Sequence, residues 1–207
     1  MALGEKERRL VRLFAACVIG RFDEVARLRR AAPAGEPDRA WRETLLQVHV
    51  FAGFPRLVEA YGVLANEGGL GALAPEEILG ESDQHVRGRE LFERIYQNDS
   101  DKIRAMLVAG HPDFAAFIEG HAYGRILARP GLEPSMRELL ACAALAVLGQ
   151  ERQLASHVRG AIRCGASSAA VMQTIEAIAD LADLAGDDRA ESARTIAAHF
   201  SARESGA

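Results

Sequence analysis

An all-α fold of two related helical units is what this sequence predicts, and three observations predict it. Apolar residues recur at helical spacing through most of the chain, as at Leu139, Leu140, Ala143, Ala144, Val147 and Leu148. No stretch combines strict alternation with β-branched residues, so no sheet is expected. The chain also matches itself 129 positions on, aligning Arg8 with Arg137, Leu10 with Leu139, Gly20 with Gly149, Arg30 with Arg159 and the helix-start residue Asp38 with Ser167. Identities among alanine-rich helices arise by chance. The shared glycine between helices and the shared N-cap are what point to duplication.

The elements follow in order. The first unit, residues 1–66, has helices near 5–19 and 22–32, parted by Gly20, then 39–52 behind Asp38 and 55–65 beyond the Gly53-Phe54-Pro55 break. Residues 67–84, glycine-rich and then stopped by Pro75, read as a linker. The second unit, 85–207, has helices near 86–97, 99–109 and 112–128, the last closed by the Pro130-Gly131 turn. It continues with 135–148, ended by Gly149, then 150–164, 168–185 behind Ser167, and 188–203, with a frayed tail from Glu204.

Composition narrows the class. A chain of 207 residues, 49% hydrophobic and 26% charged, suits one sizeable core or two small modules. Its net charge of -4 gives no reason to expect nucleic acid or an anionic membrane as partner. The opening residues lack the order of a secretory signal, and no apolar run approaches the roughly 20 residues of a membrane span, so a cytoplasmic location is expected. Cys17, Cys142 and Cys164 are odd in number, lack Cys-x-x-Cys spacing and sit in apolar helices. They read as reduced, buried thiols.

The chemistry concentrates between residues 137 and 165. Glu138, Gln153, His157 and Arg159 stand on two otherwise apolar helices, and the stripe Leu154, His157, Val158, Ala161 turns His157 inward. An inward histidine can be a satisfied core residue. Glu138, nineteen positions earlier on the preceding helix of an antiparallel pair, is placed to meet the imidazole across the hairpin. His111, His121 and His157 have no metal-ligand spacing, so no metal site is expected.

Taken together, Gly124 to Leu132, Arg137-Glu138-Leu139-Leu140, Gln153 to Ala161 and Gly165 resemble the carboxymuconolactone decarboxylase family of the alkylhydroperoxidase D-like superfamily, over roughly residues 85 to 180. The resemblance implies a helical bundle of that kind and decarboxylation of a small carboxylated lactone, without metal, thiol or organic cofactor. His157 then returns a proton to carbon and Glu138 orients the ring. Gln153 bonds a lactone oxygen, and Arg159 and Arg125 clamp carboxylates. His121 and Tyr123 are expected at the pocket mouth.

Each role has a structural competitor. Arg159 serves equally as a solvent ion pair, Arg125 and Arg129 as helix caps, Glu138 as a partner of the helix dipole, and His121 and Tyr123 as core or rim residues. Superfamily peroxidases carry a Cys-x-x-Cys pair where this chain has Gln150 and Gln153. Thiol peroxidase activity is therefore disfavoured.

In the first unit the position of Glu138 is Arg9 and that of His157 is Leu28, so chemistry belongs to the second. The family's Leu-Leu-Gln and aromatic-x-Gly-x-Pro segment is matched instead by Leu45-Leu46-Gln47 and Phe51 to Pro55, which suggests a composite site whose wall is shaped by the Gln47 to Pro55 segment, with Phe54 on it. Single-unit relatives form rings of six, so the resemblance implies a homo-oligomer, with a trimer favoured. The other class of function is a non-catalytic assembly or small-molecule-binding protein that kept the fold.

Overall fold

The computed structural model describes residues 2–80 and 83–205 and is all-α, with no strand among them. Its elements are α1 (Glu5–Ile19), α2 (Phe22–Arg30), α3 (Asp38–Asn66), a 3-10 turn (Pro75–Glu77), α4 (Gln84–Tyr96), a second 3-10 turn (Gln97–Asp99), α5 (Ser100–Gly110) and α6 (Pro112–Ala116). A π-helical stretch (Phe117–Leu127) leads to α7 (Pro134–Leu148), α8 (Glu151–Arg163), α9 (Ser168–Ala177), α10 (Ala179–Ala185) and α11 (Arg189–Ser205). No helix among the described residues is long and apolar enough to cross a membrane.

α7 is the centre. Its residues from Met136 to Val147 are all buried, as expected of a helix that is apolar on every face. α1 lies along both α3 and α7, while α8, α9 and α10 also flank α7. The resulting core joins Leu10, Phe14, Trp41 and Leu45 to Leu140, Val158 and Ile175, so it runs across the boundary between the two expected units. A second, smaller core of Leu91, Phe92, Ile95, Leu107, Tyr123 and Leu127 holds α4, α5 and the π-helical stretch.

The two hairpins α1–α2 and α7–α8 are built alike. α1 ends at Gly20 (φ 76°, ψ 28°) and α7 at Gly149 (φ 67°, ψ 30°), left-handed conformations that favour glycine. Arg21 N–H donates to Ala16 O at 2.8 Å, and its counterpart Gln150 to Leu145 O at 2.9 Å. Val25 donates to Arg21 O, and Leu154 likewise to Gln150 O.

One expected break is present and three expectations are corrected. Within α3 the chain leaves helical geometry at Gly53 (φ 78°, ψ 168°), so helices 39–52 and 55–65 are parted there as expected, the second resuming directly with Pro55 in its first turn. Segment 168–185 is two helices parted at Ile178 (φ -124°, ψ 9°). The linker is pinned: Arg42 donates to Gly71 O and pairs with Glu77 at 2.7 Å, while Gly71 N–H donates to Asp38. The tail holds its helix through Ser205, with Glu204 paired to Arg163 at 2.9 Å; Gly206 and Ala207 lie outside the described residues.

α4 reaches the π-helical stretch through glycine. A Cβ on Gly88 would lie 2.6 Å from Gly124 Cα and 2.9 Å from Glu119 O, both backbone atoms that cannot yield locally. Gly88→Ala is therefore expected to lower stability by about 1–3 kcal/mol, read as a fall in the urea midpoint. An unchanged midpoint would mean that these helices separate freely.

Candidate active site

Pro134 opens α7, Gly149 turns the chain, and Glu138 and His157 face one another across the resulting hairpin. The imidazole Nδ1 lies 2.9 Å from Glu138 Oε2, with Glu138 1% and His157 9% exposed. A carboxylate on Nδ1 holds the neutral ring's proton there and leaves Nε2 for a ligand, as acceptor when neutral and donor when protonated. The edge of Phe51, 6.2 Å between centroids, steadies the ring from α3.

The carboxyl group fits because α8 carries Gly160. A Cβ there would collide with Glu138 Oε2 and stand 3.0 Å from Ile95 of α4, so glycine makes room for the acid and for the neighbouring helix. Glu138 Oε1 is buried and accepts no hydrogen bond among the described residues. Leaving a buried acceptor unpaired costs about 1–3 kcal/mol.

His157 lines a cavity of about 370 Å³. Its polar groups are Gln150 at the N-cap of α8, Gln153 and His157 within α8, Tyr96 of α4 and Tyr123 of the π-helical stretch. Val50 and Phe51 of α3, Leu145 and Leu148 of α7, and Ile118, Ala122 and Leu127 supply an apolar wall. With i→i+5 bonding, residues four and five apart share a face, which brings Ile118, Ala122, Tyr123 and Leu127 to the same side. Among the described residues no lysine or arginine lines this cavity.

Tyr123 donates its hydroxyl to Tyr96 at 2.9 Å. Burial pushes both phenols above their usual range, and the Glu138 carboxylate adds to the rise, so both stay protonated donors at neutral pH. The thiols behave similarly. Burial pushes Cys17 and Cys164 up to about 12 and Cys142 well above its ordinary value, so none supplies a thiolate near neutrality.

The expected site residues divide. Glu138, His157, Gln153 and Tyr123 come together. Arg159 lies on another face of α8, stacked 4.8 Å over Phe200, and lines a different hollow because two residues along a helix turn the side chain about 200°. Arg125 bonds Gln84 at 3.0 Å outside the cavity. His121 is engaged by His49, Nε2 to Nε2 at 2.7 Å, and also lies outside it. Phe54 is 62% exposed and stacked on His49; the kink at Gly53 turns the chain outward, leaving Phe51, just before it, on the wall instead.

Arg129 is not a cap. With Arg137 it holds Glu43: Arg137 Nη2 lies 2.6 Å from Oε2 and Arg129 Nη2 2.9 Å from Oε1. Gln47 donates to Arg137 O at 2.9 Å, so the Leu-Leu-Gln segment ties α3 to α7 rather than lining the cavity. Among the described residues no group of three or more His, Cys, Asp or Glu side chains is disposed to hold a metal. Val50 and Phe51 belong to the 47–55 segment expected to shape a wall, whereas sequence reasoning missed Tyr96, Gln150 and Gly160 as site residues; Tyr96 carried no local signal.

The hairpin, its acid–histidine pair and the residues after them coincide with a family match over residues 112–199, described as "Carboxymuconolactone decarboxylase family". Residues 112–199 are thus similar to that family. The matched stretch contains both Glu138 and His157 and starts after α4, so Tyr96 joins the cavity from outside the matched residues. A curated relative, "Peroxisomal protein 2" of Schizosaccharomyces pombe, is 26% identical over 136 residues, which cover 63% of this chain and 63% of that protein. The chain thus spans less than two thirds of that relative's length.

Proposed function

We propose that this protein is a proton-transfer catalyst that decarboxylates a small carboxylated lactone or related cyclic acid in the cavity beside His157. The observation that carries this reading is the 2.9 Å Glu138–His157 pair, buried at the wall of a cavity of ligand size. The unpaired Glu138 Oε1 adds support, since a packing role alone gives no return for its cost.

In the reaction the bond from ring carbon to carboxylate breaks, carbon dioxide leaves, and the electron pair spreads into the lactone. His157 Nε2–H then delivers a proton to carbon and the ring regains one from solvent. Glu138 on Nδ1 orients the ring that does so. The apolar wall supports this chemistry, because it disfavours the localised charge of a carboxylate more than the dispersed charge of the transition state. Gln150 and Gln153 offer amide donors to the lactone oxygens.

The matching hairpins support descent of the two halves from one duplicated unit, with the chemistry kept in the second. Exposed Phe54 and Val58, one turn apart on α3, support a homo-oligomer, for which we favour a trimer. Reduced buried thiols suit the cytoplasm.

The test is incubation of the full chain with carboxymuconolactone in D2O, with carbon dioxide release and carbon-bound deuterium as readouts. Release with one deuterium per turnover is expected, independent of added thiol. No release would leave the non-catalytic scaffold.

A further inference from the structure

Arg159 belongs to a second hollow, of about 350 Å³, on the far side of Tyr96 from the His157 cavity. α8 separates the two by helical phase: Gln150, Gln153 and His157 follow one face at spacings of three and four, and Ser156, Arg159 and Arg163 follow the neighbouring face. Tyr96 is the ridge between them and contributes to both walls.

The second hollow is amphipathic. Ile95, Ile103 and Met106 form its apolar part. Arg163 is neutralised by Glu204 and further held by Ile95 O at 2.7 Å. Arg159 and Lys102 differ, since among the described residues neither is within ion-pair distance of a carboxylate. The Arg159 guanidinium is already positioned, stacked on Phe200 and donating to Ser156 Oγ at 3.2 Å, which leaves further N–H donors of its planar fork unused. Asp99 offsets one of the two remaining cations, leaving a single uncompensated positive charge beside an apolar floor.

We propose that this second hollow binds a small amphipathic monocarboxylate, its carboxylate on Arg159 and Lys102 and its apolar body against Ile95, Ile103 and Met106. The site is separate from the His157 cavity and does not depend on the reaction assigned there. A ligand in it touches Tyr96, the same side chain that faces His157.

Met106 provides a local reporter. It lines this hollow and not the His157 cavity, while Met136 and Met172 line neither. The experiment titrates the full chain, labelled with 13C-methyl methionine, with benzoate and separately with benzyl alcohol. Benzoate should move the Met106 methyl resonance saturably and leave Met136 and Met172 in place, whereas benzyl alcohol should not. Arg159→Gln should weaken the benzoate response about ten-fold or more, as loss of a charge-assisted pair predicts. Lys102→Gln serves as the second variant should Arg159→Gln fail to fold. In His157→Ala the response should persist, which separates this proposal from the catalytic one. An unmoved Met106 resonance, an equal response to benzyl alcohol, or full affinity in Arg159→Gln would overturn it.

Discussion

His157→Ala is expected to cut the decarboxylation rate by about 10²–10⁴-fold, the range over which a positioned acid or base acts. Among the described residues on the cavity wall, the imidazole is the side chain suited both to donate and to accept a proton; the tyrosines are held protonated by burial, and the glutamines do not titrate. Glu138→Gln should lose less, since an amide oxygen can still accept from Nδ1–H and keep the ring oriented. Both variants should keep the far-UV circular dichroism of the parent, because His157 sits at the wall of a cavity and not within solid packing. Equal kcat/KM for parent and His157→Ala would reduce the acid–histidine pair to a structural contact.

Loss of Glu43 should produce the largest change in stability. Glu43 and Arg137 are each 1% exposed at the side chain, and one carboxylate serves two guanidinium groups. Burial pulls Arg137 down from its ordinary pKa and Glu43 draws it back up, so the acid is what allows a cation to stay there charged. Glu43→Ala leaves that cation buried with only the carbonyls of Arg129 and Pro130 and the side chain of Gln47 around it, at 3.0–3.5 Å. A loss of about 3–5 kcal/mol is expected from urea unfolding. Adding Arg137→Met should recover part of it, since an apolar side chain needs no counterion. A loss below about 1 kcal/mol for Glu43→Ala would mean that water reaches the pair.

The two residues also explain why part of the site was hidden. Arg129 and Arg137 read from sequence as a cap and a repeat match, because a charged side chain's partner is set by position in space. Glu43 stands 86 and 94 residues away from them. Phe54 and Phe51 show the same limit at short range. Both are aromatic and flank Gly53, and only the observed kink decides which faces the cavity.

Amino-acid order alone determined the all-α class, the glycine stops of the two hairpins and the meeting of Glu138 with His157. Each is a local consequence of helical phase, turn chemistry and a short connection. Tertiary structure alone decided that Phe51 rather than Phe54 faces the cavity from α3, that α4 closes it with Tyr96, that Arg159 serves a second hollow, and that one core joins the first and second halves of the chain. Those outcomes depend on how helices far apart in the chain stack, and helical periodicity fixes which face is buried without naming the helix that buries it.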